Sequence, residues 1–142
     1  MEIATVRNRL TRAIAAARER AQQRRERTAE AERAYQAFLE GVATPVARLV
    51  VNSLKAEGYS FTVFTPGGGL RLANDRGRDD FIEFGLDTAS APAQVVGHIS
   101  RTYGSRTLSD ERPVKPQTPP DALTDEDVLA FLLDALGPWL ER

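Results

Sequence analysis

The segment from Glu2 to Glu40 contains neither proline nor glycine, and alanine, arginine, glutamate, glutamine and leucine dominate it. These residue types favour the α-helix most strongly. The pattern predicts one helix about 58 Å long at a rise of ~1.5 Å per residue. A helix of this length in a chain of 142 residues needs tertiary packing along its apolar side, because most helical stability in proteins comes from such packing.

Apolar residues recur along this helix at spacings of three and four, as in the seam of a coiled coil. With Ile14 at heptad position a, several seam positions are alanines, which bury little area, and Arg24 and Thr28 also fall on the seam. An incomplete seam predicts that another polypeptide lies along the helix. The residues predicted to contact that partner are Leu10, Ile14, Ala17, Ala21, Thr28, Ala31, Tyr35 and Phe38.

Arginines flank the seam on both sides in the stretch RERAQQRRER, residues 18–27. Arg18 and Arg25 occupy heptad position e, whereas Arg20 and Arg27 occupy position g. In a parallel, in-register homodimer, Arg20 would face Arg25 of the second copy, and like charges at these positions oppose pairing. The pattern therefore disfavours that arrangement.

Three kinds of partner would relieve this repulsion: an antiparallel second copy, an acidic protein segment, or nucleic acid phosphate. The chain itself carries an acidic segment in Asp121, Asp125, Glu126 and Asp127. Its front and back halves also differ in charge: residues 1–57 hold eleven basic and seven acidic residues (+4), and residues 58–142 hold eight and thirteen (−5). The arginines predicted to contact an acidic partner or an anion are Arg18, Arg20, Arg24, Arg25, Arg27, Arg101, Arg106 and Arg112.

A second, shorter helix is predicted after the first. Gly41 suits the end of the first helix, and Thr44 and Pro45 suit an N-cap and a first helical position. This helix is expected to end at Gly58 and to bury Val46, Leu49, Val50 and Leu54.

Four strands and a closing helix are predicted beyond Gly58. Alternating β-branched and aromatic residues mark the strands, and short turns such as Pro-Gly-Gly-Gly predict an antiparallel meander. Thr124 and Asp127 suit a capping box for the final helix, and Gly137-Pro138 is expected to distort or interrupt its last turn. The predicted strands are residues 59–65, 70–73, 80–86 and 94–103, with a proline-rich loop at 104–123.

The predicted fold class is therefore α+β, with a long coiled-coil-like N-terminal helix, a short second helix, a four-stranded antiparallel meander and a C-terminal helix. We expect two domains, a helical arm for assembly at 1–43 and an α+β domain at 44–142.

No motif for catalysis or for a cofactor is evident in the sequence. Cysteine is absent and His98 is the only histidine, so a cysteine metal site and a thiolate nucleophile are excluded, and no cysteine or second histidine can join His98 as a metal ligand. The glycine-rich turn lacks the lysine and hydroxyl residue of a phosphate loop and precedes a strand rather than a helix. We expect a protein without cofactor, metal or small-molecule substrate, and not an enzyme. With no apolar run long enough for a signal peptide or a membrane span, we expect it in the cytoplasm.

The sequence thus predicts a non-enzymatic interaction or assembly module, such as an adaptor, a chaperone-like subunit or an inhibitor-like subunit. We expect a homodimer formed through the N-terminal helix, or a complex with a different protein that has an acidic surface. The alternative is a nucleic-acid-binding protein whose arginine-rich helix contacts phosphates.

Overall fold

The computed structural model describes residues 1–141. Its elements run in the order α1 (Ile3–Phe38), a π-helical turn (Leu39–Ala43), α2 (Thr44–Ala56), β1 (Phe61–Phe64), β2 (Leu70–Asn74), β3 (Phe81–Asp87), β4 (Gln94–Tyr103), β5 (Arg106–Pro113) and α3 (Asp125–Leu140). The α+β class, the long N-terminal helix, the antiparallel sheet and the C-terminal helix are confirmed. The chain divides into two compact units, a first unit of Met1–Glu30 and a second unit that begins at Ala31.

The predicted helix end at Gly41 is wrong, because the backbone stays helical from α1 through the π-helical turn into α2. The N–H of Thr44 donates to the carbonyl of Leu39, and Thr44 has helical angles (φ −65°, ψ −44°) rather than those of an N-cap. In a regular helix, the ring of Pro45 would clash with the carbonyl four residues earlier. The backbone hydrogen bond between residues five apart widens the helical turn just before this proline. The helix therefore continues through both Gly41 and Pro45.

The sheet has five strands instead of the predicted four, in the order β1-β2-β3-β4-β5, and neighbouring strands are antiparallel. The meander is confirmed, and the additional strand β5 lies inside the predicted loop at 104–123. It pairs with β4 from Tyr103 opposite Arg106 to Val96 opposite Pro113. Gly104 has a φ of 65°, which suits the first position of the two-residue turn between these strands.

Strand β5 was missed because its sequence, RTLSDERP, is charged and mostly exposed. An edge strand of this kind is held by backbone hydrogen bonds to one neighbour, and its side chains carry no burial pattern. The available signal was the Gly-Ser pair between two β-compatible runs, which is typical of a hairpin.

The hydrophobic core of the second unit lies between one face of the sheet and the helices. Phe61 on β1 packs edge-to-face on Trp139 of α3, with ring centroids 5.7 Å apart. Phe84 on β3 packs in the same way on Phe131, at 5.8 Å. The largest fully buried side chains come from the sheet, from α3 and from the π-helical turn: Phe61, Leu39, Leu70, Leu72, Ile82, Leu132, Leu136, Val95 and Val128.

Helix α3 begins with the predicted capping box. The Thr124 hydroxyl accepts from the Asp127 N–H at 3.2 Å, and the Asp127 carboxylate accepts from the Thr124 N–H at 3.0 Å. The expected interruption at Pro138 does not occur, since α3 continues to Leu140. A proline this close to a helix end removes a single bond in the last turn, and the Glu141 N–H still donates to the Gly137 carbonyl at 3.0 Å.

Candidate protein interaction surfaces

The first unit exposes the apolar residues of its helix. Ile3, Val6, Leu10 and Ile14 are 77%, 48%, 58% and 42% exposed. At 100° of rotation per residue, these positions and the next seam alanines fall within an arc of about 80°. We call this surface the apolar stripe: Ile3, Val6, Leu10, Ile14, Ala17 and Ala21.

Arginines border the apolar stripe, and all of those in the first unit are exposed. Arg25 donates to the Gln22 side-chain oxygen at 3.0 Å, and Gln22 donates to Glu26 at 3.1 Å. Within residues 1–141, no ion pair involves an arginine of the first unit. The charge of these guanidinium groups is thus left for solvent or for a partner. By helical position, one border holds Arg7, Arg18 and Arg25, and the other holds Arg9, Arg20 and Arg27.

The eight predicted seam residues occupy different environments. Leu10, Ile14 and Ala17 are exposed, whereas Ala21, Thr28 and Ala31 are partly exposed. Tyr35 and Phe38, at 8% and 4% exposure, belong to the hydrophobic core of the second unit. Burial raises the pKa of the Tyr35 hydroxyl to about 12, and the negative charge of Glu83 adds to this effect. The seam surface that is exposed for a partner therefore lies in the first unit.

The three arginines predicted in the back half do not form one cluster. Arg112 pairs with Asp134 at 2.7 Å and lies 3.8 Å from Asp110. Arg101 lies on the same shallow cavity of about 420 Å³ as Arg112, whereas Arg106 is exposed at the β4–β5 turn. The acidic neighbours of Arg112 neutralise it locally, which leaves the first unit as the main basic surface.

A groove with a volume of about 670 Å³ lies between α2 and α3 in the second unit. Leu49 and Leu133 at its edges are 68% and 52% exposed. The expectation that α2 buries Leu49 is therefore wrong: Val50 and Leu54 face the core, and Leu49 faces the groove. We call it the α2–α3 groove; it is lined by Val46, Leu49, Val50, Ser53, Leu54, Glu57, Tyr59, Asp125, Glu126, Leu129, Leu133, Leu136 and Leu140.

The charged side chains that line the α2–α3 groove are all acidic: Glu57, Asp125 and Glu126. Asp125 and Glu126 belong to the first turn of α3, where carboxylates are favoured by the positive end of the helix dipole. The hydrogen bond from the Thr124 N–H also lowers the pKa of the neighbouring Asp127. Within the described chain, the groove rim is thus lined by carboxylates and by no basic side chain. Part of the signal for the groove is visible in the sequence, because apolar residues cover more of α3 than one sheet face requires.

Two aspartates of the second unit, Asp75 and Asp80, accept hydrogen bonds from other elements of the fold. Asp80 is 6% exposed, and its carboxylate accepts from the Thr102 N–H at 2.8 Å and from the indole N–H of Trp139 at 3.2 Å. Asp75 accepts from the hydroxyls of Ser60 and Thr62, which lower its pKa. Among the residues that the structure describes, no group of acidic and histidine side chains is arranged to hold a metal ion.

Comparisons with known proteins assign no family to this chain. No family model matches the sequence, no curated protein shows significant similarity, and no solved structure gives a significant match. Over residues 1–141, no helix combines the length and the apolar character needed to cross a membrane. Any functional conclusion must rest on the two surfaces described above.

Proposed function

We propose that this protein is a non-enzymatic interaction module that assembles through its N-terminal helix, with a homodimer as the expected assembly. The observation that carries this proposal is the apolar stripe of the first unit, where four large aliphatic side chains are 42–77% exposed along one helix face. Burying them against a partner would contribute on the order of 5 kcal/mol before the entropic cost of association. A partner with carboxylates would also compensate the arginines that border the stripe.

Light scattering after size-exclusion chromatography tests this proposal on the full chain. The expected result is a mass twice the 15.6 kDa of one chain. The double substitution Leu10→Asp/Ile14→Asp places two charges in the stripe and is expected to give a mass of one chain. Both positions are exposed, so the core of the second unit is expected to stay folded.

The matched control is Asn8→Asp/Gln23→Asp, which adds the same charges to the opposite side of the same helix. Both control positions are exposed, and this variant is expected to keep the mass of the dimer. A monomeric wild-type protein over the whole accessible concentration range would exclude the homodimer. A dimer that survives the stripe substitutions would exclude the N-terminal helix as its interface.

Nucleic acid binding is the second candidate, favoured by the eight arginines and three glutamates of residues 1–27 (+5). Fluorescence anisotropy with a labelled DNA duplex and a labelled RNA duplex tests it at several salt concentrations. Phosphate contacts predict a log–log slope of about −0.9 per DNA phosphate contacted. No binding at low salt to either duplex would remove this candidate.

A further inference from the structure

The single chain exposes two apolar surfaces of opposite charge. The apolar stripe is bordered by arginines, and the α2–α3 groove is bordered by carboxylates. We infer that the N-terminal residues 3–14 of one copy dock in the α2–α3 groove of a second copy. This inference rests on the proposed function, because it names the acceptor surface for the proposed assembly.

The dimensions of the two surfaces agree. Ile3 to Ile14 spans about 17 Å along a helix, and the α3 residues that line the groove, Asp125 to Leu140, span about 22 Å. The α2 residues that line the groove, from Val46 onward, and the C-cap Glu57 extend over about 17 Å. One helical segment of three turns therefore fits the length of the groove, and grooves between helices commonly accept an amphipathic helix through residues spaced by three, four and seven.

The charges of the two surfaces also agree. Residues 3–14 contain Arg7, Arg9 and Arg12 and no acidic residue, a balance of +3. The groove is lined by three carboxylates and by no basic residue within the described chain. Docking would replace the repulsion between two arginine-flanked stripes with contacts between opposite charges.

A reciprocal exchange gives each copy one donated helix and one filled groove. Such a two-fold arrangement closes at two copies and leaves neither surface open for further addition. It also differs from a coiled coil of two N-terminal helices, in which the stripes contact each other and both grooves stay exposed.

Disulfide mapping tests the contact directly, because the chain has no cysteine of its own. Full-length Val6→Cys, Leu10→Cys and Ile14→Cys are each mixed with differently tagged Ser53→Cys, whose serine lines the groove. The control acceptor is Ser109→Cys, an exposed serine on β5 outside the groove. Docked thiols share an effective concentration near millimolar, so at about 10 μM protein with a thiol oxidant such as diamide, the heterologous disulfide with Ser53→Cys is expected to form about 100-fold faster than with the control.

A groove variant gives an independent readout. Leu49→Glu/Leu133→Glu is expected to weaken dimerisation by about 100-fold or more, since two leucines lose their apolar contact. Asn52→Glu/Ala130→Glu adds the same charges to exposed positions of α2 and α3 that do not line the groove, and it is expected to leave the dimer intact.

The outcomes separate this inference from the proposed function. A wild-type monomer overturns both. Two outcomes overturn groove docking and leave assembly through the helix standing. In the first, the wild-type protein is a dimer and Leu49→Glu/Leu133→Glu leaves the dimer intact. In the second, Leu10→Cys forms a disulfide with Leu10→Cys of a second copy, and none of the three stripe cysteines forms a disulfide with Ser53→Cys. Equal rates with Ser53→Cys and Ser109→Cys also overturn it.

Discussion

The first and second units have nearly the same apolar content but use it differently. In the first unit, 12 of 30 residues are hydrophobic, close to the 42% of the whole chain. Seven of these twelve are alanines and none is aromatic, whereas all ten aromatic residues lie in the second unit. The second unit buries six of its ten aromatic side chains, whereas the first leaves its four largest aliphatic side chains exposed. The six buried aromatic residues are Tyr35, Phe38, Phe61, Phe84, Phe131 and Trp139.

This contrast shows that the fraction of apolar residues does not by itself decide whether a segment forms a core. A helix satisfies its own backbone hydrogen bonds, so the first unit needs no tertiary neighbour for its polar groups. Strands β1 to β5 require neighbours for theirs, which brings their side chains together. The apolar stripe can therefore stay exposed without loss of the backbone hydrogen bonds of its helix, whereas the second unit folds as one packed body.

The largest expected effect is the difference in unfolding free energy between two leucine-to-alanine substitutions, one in each unit. Leu72→Ala removes a side chain that is 0% exposed and is expected to lower the free energy of unfolding by about 3 kcal/mol. Leu10→Ala, at 58% exposure, is expected to leave that value nearly unchanged while weakening self-association. Urea unfolding followed by fluorescence of Trp139, the only tryptophan and 3% exposed, measures the second unit. Equal losses for both substitutions would contradict the contrast.

A second test concerns the close packing of α3 on the sheet. A Cβ added at Gly97 would lie 2.1 Å from the Phe131 ring, so Gly97→Ala is expected to cost about 2 kcal/mol through displacement of that ring. Gly85→Ala is the matched control, because its added Cβ would meet Val96 at an ordinary 3.7 Å. Urea unfolding of both variants checks this, and a loss at Gly85 as large as that at Gly97 would contradict it.

Local signals predicted much of the fold. The 3-4 spacing of apolar residues predicted the long helix, and the alternation of β-branched and aromatic residues predicted four of the five strands. Thr124 with Asp127 predicted the capping box of α3. The π-helical turn was missed because its bond from Thr44 to Leu39 depends on how the backbone accommodates a proline, for which the residue pattern has no separate signal.

The candidate site was only partly predictable. Heptad spacing places both Leu10, at position d, and Tyr35, at position a, on the seam, yet Leu10 is exposed and Tyr35 is in the core. Periodicity gives the face of a helix but does not say where a tertiary neighbour begins to cover it. The α2–α3 groove likewise depends on two helices far apart in sequence, and its exposed Leu49 resembles any buried leucine of an amphipathic helix.

Buried Tyr35 makes the second unit sensitive to high pH. Its pKa in the folded state is about 12, above an unfolded value of ~10. The folded state thus holds the hydroxyl proton more tightly, which adds to the free energy of unfolding. This added stability is complete below pH ~10 and is lost as the pH rises toward 12, by less than about 1.4 kcal/mol per pH unit. Tyr35→Phe is expected to flatten this decline in urea unfolding measured across that range.

The control for Tyr35→Phe is the same substitution at Tyr103, which is 63% exposed. We expect Tyr103→Phe to keep the wild-type decline at high pH. If the two variants decline in parallel with the wild type, the buried hydroxyl does not contribute to this pH dependence.

The smallest expected effect on stability comes from replacing one threonine in each unit, because the two hydroxyls have different roles. Thr124→Ala removes the hydroxyl that accepts from the Asp127 N–H and is expected to cost about 1 kcal/mol. Thr11→Ala in α1 removes a hydroxyl that donates to the Arg7 carbonyl within the helix, and alanine raises helix propensity there by about 0.5 kcal/mol. Trp139 fluorescence should therefore report a loss for Thr124→Ala alone, and circular dichroism should report equal or higher helicity for Thr11→Ala. A loss of second-unit stability from Thr11→Ala would show that the two units do not unfold independently.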